Sequence, residues 1–261
     1  MWSDYEAVYS TALRDEAFLA WREAGARQKA LNIALVCRAI KVESVIEIGC
    51  GTGAVLRFLH SMDFAKSYNC IDVAPSAVQF VQKTCRDFIQ SAHVGSASAL
   101  PFPDAVFDLA ILSHVVEHLH DPVVAIREAS RIARYVVVEV PIEKMASNAI
   151  RTRILRRPYA SIAGAGHVQF WSPKSIEVFL VNHCGLEILE HRRDLVSKDT
   201  EFYGKKGVSL VKPFFKEILK SALPGSLYSR LLTTHITFLC RKAEAAGPML
   251  NSAMRPEGKS A

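Results

Sequence analysis

The chain lacks three patterns that would place it in other classes of protein. None of its six cysteines stands in a C-x-x-C pair, so they indicate reduced core residues rather than a metal or redox motif. No apolar run approaches the length of a membrane span. The first residues have neither the basic region nor the apolar core of an export signal. We therefore expect a cytoplasmic protein without a transmembrane segment.

The sequence also has little concentrated charge of one sign. The formal net charge is +6, but lysine and arginine are dispersed through the 261 residues rather than gathered into one basic stripe. This distribution argues against a nucleic-acid partner. The composition is 50% hydrophobic and 22% charged, which suits a chain that buries one α/β core.

What the chain does contain is an apolar run that ends in three glycines at alternate positions. Val45 to Ile48 predicts a buried strand. The glycines that follow are Gly49, Gly51 and Gly53, and a helix is predicted from Ala54. Without side chains, the turn lets a ligand lie against the peptide groups, while the helix directs free N–H donors towards it. The pattern predicts a site for a nucleoside-bearing cofactor, but it also fits the looser dinucleotide fingerprint, so the turn alone does not name the cofactor.

Two later segments narrow the choice. The next apolar run ends in Asp72, 23 positions beyond Gly49, where a carboxylate can accept both ribose hydroxyls or cap the following helix. A third segment, His93 to Leu119, contains Gly95-Ser96-Ala97, Pro101-Phe102-Pro103-Asp104 and Phe107-Asp108-Leu109. In this order the segments resemble the class I S-adenosylmethionine-dependent methyltransferases, particularly the quinone-biosynthesis branch. The resemblance covers about residues 42–141.

The resemblance implies S-adenosylmethionine as the cofactor and gives each part of the site a role. Glu47 to Gly53 would hold the methionine portion, and Asp72 the ribose hydroxyls. Val73 would cover one face of the adenine, with Ser96 and Ala97 at its edge. The family usually has an acid where this chain has Ser96, so a hydroxyl would replace a charge-assisted hydrogen bond. The predicted cofactor-binding residues are Glu47, Gly49, Cys50, Gly51, Gly53, Asp72, Val73, Ser96, Ala97 and Ser113.

Strands and helices alternate along the chain as a parallel, doubly wound sheet requires. The predicted strands are 44–48, 67–72, 92–95, 107–112, 134–140, 186–192 and 234–241, and the predicted helices are 15–39, 53–61, 75–90, 121–133, 173–183 and 213–223. The wide spacing of the last two strands leaves no second βαβαβ half for a nicotinamide dinucleotide. We expect a Rossmann-like, seven-stranded, mostly parallel sheet with helices on both faces and a C-terminal antiparallel strand pair.

These elements predict a single methyltransferase domain over residues 1–242. Residues 1–41 would form an N-terminal helical cap, 143–170 a lid or substrate-binding insertion, and 194–233 a helical insertion. Residues 243–261, rich in Ala, Gly, Pro and Ser, would form a disordered tail. In the helical insertion, two adjacent phenylalanines beside a lysine stripe indicate core packing or, alternatively, peripheral contact with a lipid surface or an entrance for a lipophilic substrate.

His114 is the candidate catalytic residue. Ligands of open parallel sheets sit at the carboxyl ends of the strands, and Ser113 and His114 directly follow the strand 107–112. An imidazole there could be the general base for methyl transfer to a hydroxyl oxygen, or it could cap or pack without titrating. We expect a small-molecule acceptor, with carbon and nitrogen as open alternatives. The other readings are a cofactor-binding regulator or assembly partner without catalysis, and an NAD(P)-dependent oxidoreductase.

The run His114-x-x-Glu117-His118 also admits a metal site. It matches the inverted zinc-protease signature, which requires a helix in a protease scaffold. It further resembles E-x-x-E-H, through which some quinone-pathway methyltransferases bind a divalent cation, but His114 replaces the first acid and disfavours a hard ion. We expect Glu117 and His118 to serve as helix-cap and hydrogen-bonding residues, with no metal. His167, beside two aromatic residues, could line the substrate pocket, although packing is its expected role.

Overall fold

Short apolar runs form the strands of one sheet, and amphipathic runs form the helices that cover it. The structure is a computed structural model that describes residues 2–142, 166–194, 221 and 234–243. The strands are β1 (Ser44–Ile48), β2 (Ser67–Asp72), β3 (Ile89–Val94), β4 (Phe107–Ser113), β5 (Ala133–Pro141), β6 (Leu186–Asp194) and β7 (His235–Lys242). The helices are α1 (Trp2–Ala12), α2 (Glu16–Val36), α3 (Ala54–Ser61), α4 (Pro75–Thr84), α5 (Pro122–Ile132) and α6 (Pro173–Val178), the last continuing as a π-helical turn at Phe179–His183. Within these described ranges, no helix has the length and apolarity needed to span a membrane.

The order and direction of the strands decide between the predicted folds. The sheet order is β3-β2-β1-β4-β5-β7-β6. The first five strands of this order, β3, β2, β1, β4 and β5, are parallel to one another. Strand β7 runs antiparallel to both β5 and β6. This confirms the predicted mostly parallel seven-stranded sheet with an antiparallel C-terminal pair. It contradicts the dinucleotide alternative, because the described sheet continues after β5 with an antiparallel strand rather than with a second parallel half.

Each central strand contributes alternate side chains to two apolar cores, one on each face of the sheet. Ile46 and Ile48 join the core that α5 and α6 cover, whereas Val45 joins the core beneath α2 and α3. Strands buried on both faces read as continuous apolar runs, which is why they could be predicted. All six cysteines are free and buried, and this confirms their predicted core role.

Helix ends differ more from the prediction than strand ends do. The observed bounds of β1 and β2 are the predicted ones. Helix α4 ends at Thr84, and Gln90 lies in β3, so the last part of the predicted helix 75–90 is wrong. Helix α2 begins after Asp15, whose Oδ1 accepts hydrogen bonds from the backbone N–H groups of Ala17 and Phe18 at 2.8 and 3.3 Å. Helix α1 lies within the predicted N-terminal helical cap, residues 1–41, although no separate helix was predicted before residue 15.

Several predicted segments lie outside the described residues. They comprise 143–165 of the predicted lid, 195–220 and 222–233 of the helical insertion, and 244–261 of the tail. The arginines at 151–157 and nearly all of the helix 213–223 fall in these ranges. The division of the chain into one domain, two insertions and a tail therefore stays a prediction.

Candidate active site

The glycine turn after β1 has two kinds of neighbour. All three glycines have positive φ angles, 79° at Gly49, 52° at Gly51 and 68° at Gly53. A Cβ atom on Gly51 would lie 2.5 Å from the Tyr9 hydroxyl oxygen and 3.1 Å from a guanidinium nitrogen of Arg22. A Cβ atom on Gly53 would meet Val81 of α4 at 2.9 Å. Gly51 thus keeps the turn open towards α1 and α2, while Gly53 lets α3 approach α4.

Asp72 fixes the turn from the neighbouring strand. Its Oδ2 accepts a hydrogen bond from the Gly51 N–H at 2.8 Å, and its Oδ1 accepts one from the Ala74 N–H at 2.9 Å. The side chain is buried, and desolvation raises its pKa despite these hydrogen bonds. The structure therefore gives Asp72 a local role at the strand end, and its predicted contact with ribose stays a prediction.

The predicted adenine edge lies at the end of β3. The Gly95 N–H donates to the Asp72 carbonyl oxygen at 2.9 Å, which holds Ser96 and Ala97 beside the end of β2. The Ser96 hydroxyl oxygen accepts a hydrogen bond from the Ser98 N–H at 3.1 Å, so it already stabilises its own turn. Ser96 and Ala97 are only partly buried, as a surface that receives a ligand must be.

A cavity of about 250 Å³ lies between α2 and the carboxyl ends of β1, β4 and β5. Its walls are formed by Trp21, Arg22, Gly25, Ala26, Gln28, Lys29, Asn32, Glu47, Gly49, Cys50, Thr52, Ala54, Val55, Ser113, His114, Glu139 and His235. Five predicted site residues therefore come together there, namely Glu47, Gly49, Cys50, Ser113 and His114. The other predicted residues, Gly51, Gly53, Asp72, Val73, Ser96 and Ala97, are not among its lining residues.

The cavity is rich in ionisable groups, of which Glu47 was predicted from sequence and Arg22, Lys29 and Glu139 were not. Glu47 is 3% exposed, and its Oε2 has no hydrogen-bond partner among the described residues. Burial raises its pKa to about 8, against the opposing effect of Lys29 and Arg22. Burial likewise lowers the pKa of Lys29, against the opposing effect of Glu139. Arg22 and Lys29 are seven positions apart on α2 and so share one face, a spacing that could have identified them.

Ser113 and Glu139 join the ends of β4 and β5. The Ser113 hydroxyl donates a hydrogen bond to Glu139 Oε2 at 2.5 Å, and both side chains are buried. The backbone N–H of His114 donates a hydrogen bond to the backbone carbonyl oxygen of Glu139 at 3.0 Å. An acid inside the apolar run Val136 to Val140 was the signal for Glu139, because a buried carboxylate in a central strand needs a partner or a function.

His114 presents one ring nitrogen to the interior of the site. It has a positive φ of 59°, which is uncommon for a residue other than glycine. Its Nδ1 lies 3.1 Å from Glu117 Oε1, and its ring centroid lies 4.9 Å from that of His235. Its Nε2 is buried and has no hydrogen-bond partner among the described residues. Desolvation, together with the charges of Lys29 and Arg22, holds the pKa of His114 well below its usual value, so the ring is neutral at pH 7.

A second cluster lies behind His114. Glu117 and His118 belong to a 3₁₀ turn, Val116–His118, and not to an α-helix. The helix required by the inverted zinc-protease signature is therefore absent from this stretch, and that reading is wrong. His167 packs its ring edge-on against His118, with centroids 4.8 Å apart, so it stands beside this cluster and does not line the cavity.

Known proteins share this sequence pattern and fold. Residues 46–135 match the family described as methyltransferase domain. Ajmaline N-methyltransferase from Rauvolfia serpentina is 34% identical over 101 residues, which are 36% of this chain and 33% of that protein. The N-methyltransferase NodS from Bradyrhizobium japonicum, in complex with S-adenosyl-L-homocysteine, has a TM-score of 0.51 at 16% identity, covering 84% of this chain and 86% of NodS. The [4+2]-cyclase SpnF has a TM-score of 0.55 at 17% identity, covering 84% of this chain and 81% of SpnF.

The match to the methyltransferase domain family is confined to residues 46–135. At these identities the solved structures show the fold alone, and a cyclase among them illustrates that a fold does not determine a reaction. The chain spans about a third of the length of the curated relatives it matches, 33% and 37%. The matched residues include the glycine turn, Asp72, Ser96 and His114, whereas Arg22, Lys29 and Glu139 lie outside them.

Proposed function

We propose that this protein transfers a methyl group from S-adenosylmethionine to a small-molecule acceptor, with a hydroxyl oxygen as the favoured acceptor atom. One observation carries the proposal: Gly49 of the glycine turn and His114, with its unpartnered Nε2, line the same cavity. When bound, the cofactor supplies an electrophilic methyl group. The protein then has to position the acceptor, exclude water and accept a proton.

The residues of the turn fit such a cofactor. Gly51 has no side chain to displace the Tyr9 hydroxyl and the Arg22 guanidinium that lie over the turn, and Glu47 offers a buried carboxyl oxygen that an ammonium group would stabilise in its ionised form. A carboxylate has about four lone-pair sites, so Asp72 can accept ribose hydroxyls in addition to its two backbone hydrogen bonds. We assign the methionine portion to Glu47, Gly49, Cys50, Gly51, Gly53 and Ser113, and the nucleoside to Asp72, Val73, Ser96 and Ala97.

The acceptor would lie at the end of the cavity where His114 meets Lys29 and Glu139. A neutral imidazole can take the acceptor proton at Nε2, and the cationic side chains of Arg22 and Lys29 would favour an oxygen that gains negative charge. A nitrogen acceptor is the second candidate, because one relative is named as an N-methyltransferase. A protonated amine has to lose a proton before its lone pair can attack the methyl group, so His114 would have the same role there.

Calorimetry followed by turnover assays tests the proposal. We expect the full chain to bind S-adenosylmethionine and S-adenosylhomocysteine and not NAD. A panel of phenols, alcohols, amines and carbon acids should then yield a methylated product, identified by mass, from at least one acceptor. Tight cofactor binding without turnover of any acceptor would favour the non-catalytic regulator instead. Preference for NAD would contradict the proposal outright.

The cellular location and the class of partner that we propose rest on the sequence alone. We propose a cytoplasmic location, and we expect a small molecule rather than nucleic acid as the partner. Contact with a lipid surface was the alternative to core packing for residues 212–223, of which only Ser221 is described. Fractionation of the full chain between supernatant and anionic vesicles would test that contact.

A further inference from the structure

We propose that Glu117, His118 and His167 bind a divalent metal ion of the Zn²⁺ type. One ligand atom from each of these residues lies within 4.8 Å of those of the other two. Glu117 is 0% exposed; its Oε1 lies 3.1 Å from His114 Nδ1, and its Oε2 has no hydrogen-bond partner among the described residues. A carboxylate is costly to bury without partners, and a bound cation is one of the few ways to offset that cost.

The cluster is held together before any ion binds. The N–H groups of Val168 and Gln169 both donate to the Glu117 carbonyl oxygen, at 2.9 and 3.0 Å. The Gln169 side-chain amide donates to the Leu119 carbonyl oxygen at 3.2 Å. These hydrogen bonds fix the segment that carries His167 against the turn that carries Glu117 and His118. Ligands from two segments are therefore preorganised, which reduces the entropy lost on binding.

The orientation of His118 suits a metal ligand. Its Nδ1 lies 3.1 Å from the Gly166 carbonyl oxygen, which can only accept a hydrogen bond. Nδ1 therefore carries the proton, and Nε2 keeps its lone pair for an ion. Metal-binding imidazoles usually donate their other ring N–H to a carbonyl or carboxylate in this way.

The donor set selects the type of ion. Two imidazole nitrogens and one carboxylate oxygen suit Zn²⁺, whereas Mg²⁺ requires oxygen ligands in near-octahedral geometry. The set also differs from the E-x-x-E-H pattern, because the third ligand is His167 rather than the residue at position 114. From the sequence we expected no metal here, and no local pattern places His167 beside Glu117.

The site lies directly behind the cavity. His114 lines the cavity, and its Nδ1 is 3.1 Å from Glu117 Oε1. An ion bound to Glu117 would hold residues 166–169 and the end of β4 in one arrangement. This structural effect does not depend on the proposed methyl transfer.

Metal titration of the full chain, after dialysis against a chelator, tests the proposal. We expect one Zn²⁺ per chain by calorimetry, no measurable Mg²⁺ binding, and visible absorption of a low-coordinate site when Co²⁺ is bound. His118→Gln and His167→Gln should each weaken Zn²⁺ binding by more than about tenfold. His120→Gln is the matched control, since His120 is an exposed histidine of the same connection and should leave the affinity unchanged.

His114→Gln separates this ligand set from one that uses His114. We expect His114→Gln to retain Zn²⁺ binding. If His114→Gln lost Zn²⁺ binding while His167→Gln kept it, the proposal would be overturned. Absence of stoichiometric Zn²⁺ binding by the wild type would overturn it as well. Far-UV circular dichroism of each variant shows whether a lost affinity comes from unfolding, and the two histidine variants provide independent tests.

Discussion

Burial shifts the pKa values of residues around the cavity, and at Glu47 the shift has a large consequence for stability. Its pKa is about 8 in the folded chain and 4.5 when the carboxyl is exposed. The folded state therefore retains a proton that the unfolded state releases above pH 4.5. Stability is fully present below that pH and is lost as pH rises towards 8. At about 1.4 kcal/mol for each pH unit, the loss amounts to as much as roughly 5 kcal/mol.

Glu47→Gln should remove this pH dependence, because glutamine does not ionise. Without cofactor, the variant should gain stability over the wild type on going from pH 5 to pH 9, as measured by urea unfolding. Glu190→Gln, whose acid is 44% exposed, should follow the wild type at both pH values. If the free energies of unfolding of the wild type and of Glu47→Gln changed with pH in the same way, the ionised Glu47 carboxylate would be as well stabilised in the folded chain as in the unfolded chain.

The role of His114 can be separated from cofactor binding. His114→Gln removes the imidazole Nε2 that we propose as the proton acceptor but keeps a side chain of similar size. We expect kcat to fall by about 10²-fold or more, while the affinity for S-adenosylhomocysteine stays within about twofold. His120→Gln serves as the control. If the His114 variant kept its full kcat, turnover would have to be explained by the positioning of an acceptor that is already acidic.

Ser96 provides a smaller test at the adenine edge. Ser96→Ala should weaken cofactor binding by about 0.5–1.5 kcal/mol, the usual contribution of one hydrogen bond, while Ser96→Asp should keep or improve it. Because the Ser96 hydroxyl also accepts from the Ser98 N–H, thermal unfolding without cofactor is needed to measure the loss to the turn alone. Equal cofactor affinity in all three proteins would place adenine elsewhere.

At the scale of elements, the glycine turn offers a matched pair of substitutions. Gly51 and Gly185 both have positive φ, 52° and 70°, so alanine strains the backbone at either position by roughly 1–2 kcal/mol. Only at Gly51 would the added Cβ meet other atoms, whereas at Gly185 there is nothing within 4 Å. Gly51→Ala should therefore weaken binding of S-adenosylhomocysteine by at least about tenfold, and Gly185→Ala should not, by calorimetry. Similar affinities would remove Gly51 from the cofactor site.

The same elements show what could be predicted from sequence. Strands β1 and β2 were predicted correctly because strands buried on both faces are continuous apolar runs. Strand β3 lies at the sheet edge and is mostly not buried, so its polar residues gave a weak signal and its first residues were assigned to a helix. The glycine turn, Asp72 and His114 are local features at strand ends, where ligands bind. The spacing of Arg22 and Lys29 puts them on one face of α2, but only tertiary packing brings that face to the cavity, and only tertiary packing brings His167 beside Glu117.

At the scale of the whole molecule, several contacts link the N-terminal helices to the glycine turn and its neighbour α4. The Glu6 carboxylate of α1 accepts hydrogen bonds from the Ser76 N–H and hydroxyl of α4, at 3.0 and 2.9 Å. The Tyr9 hydroxyl and the Arg22 guanidinium lie over Gly51. Arg57 of α3 also pairs with Glu23 of α2 at 2.7 Å. A ligand at the turn would therefore contact α1 and α2 as well as the sheet.

These contacts predict how cofactor binding redistributes stability. At a free concentration of 100 times Kd, a ligand stabilises the folded state that binds it by about 2.7 kcal/mol, which corresponds to roughly a hundredfold slower opening. Hydrogen exchange with S-adenosylhomocysteine at that concentration should slow by up to this factor in the turn and in α2 together, because opening of either one exposes the ligand. Strand β6 lies at the far edge of the sheet, beyond β7, and its local opening should be unaffected. Protection confined to the turn, with α2 exchanging as in the free protein, would show that the N-terminal helices do not enclose the cofactor and that Arg22 and Lys29 do not belong to its site.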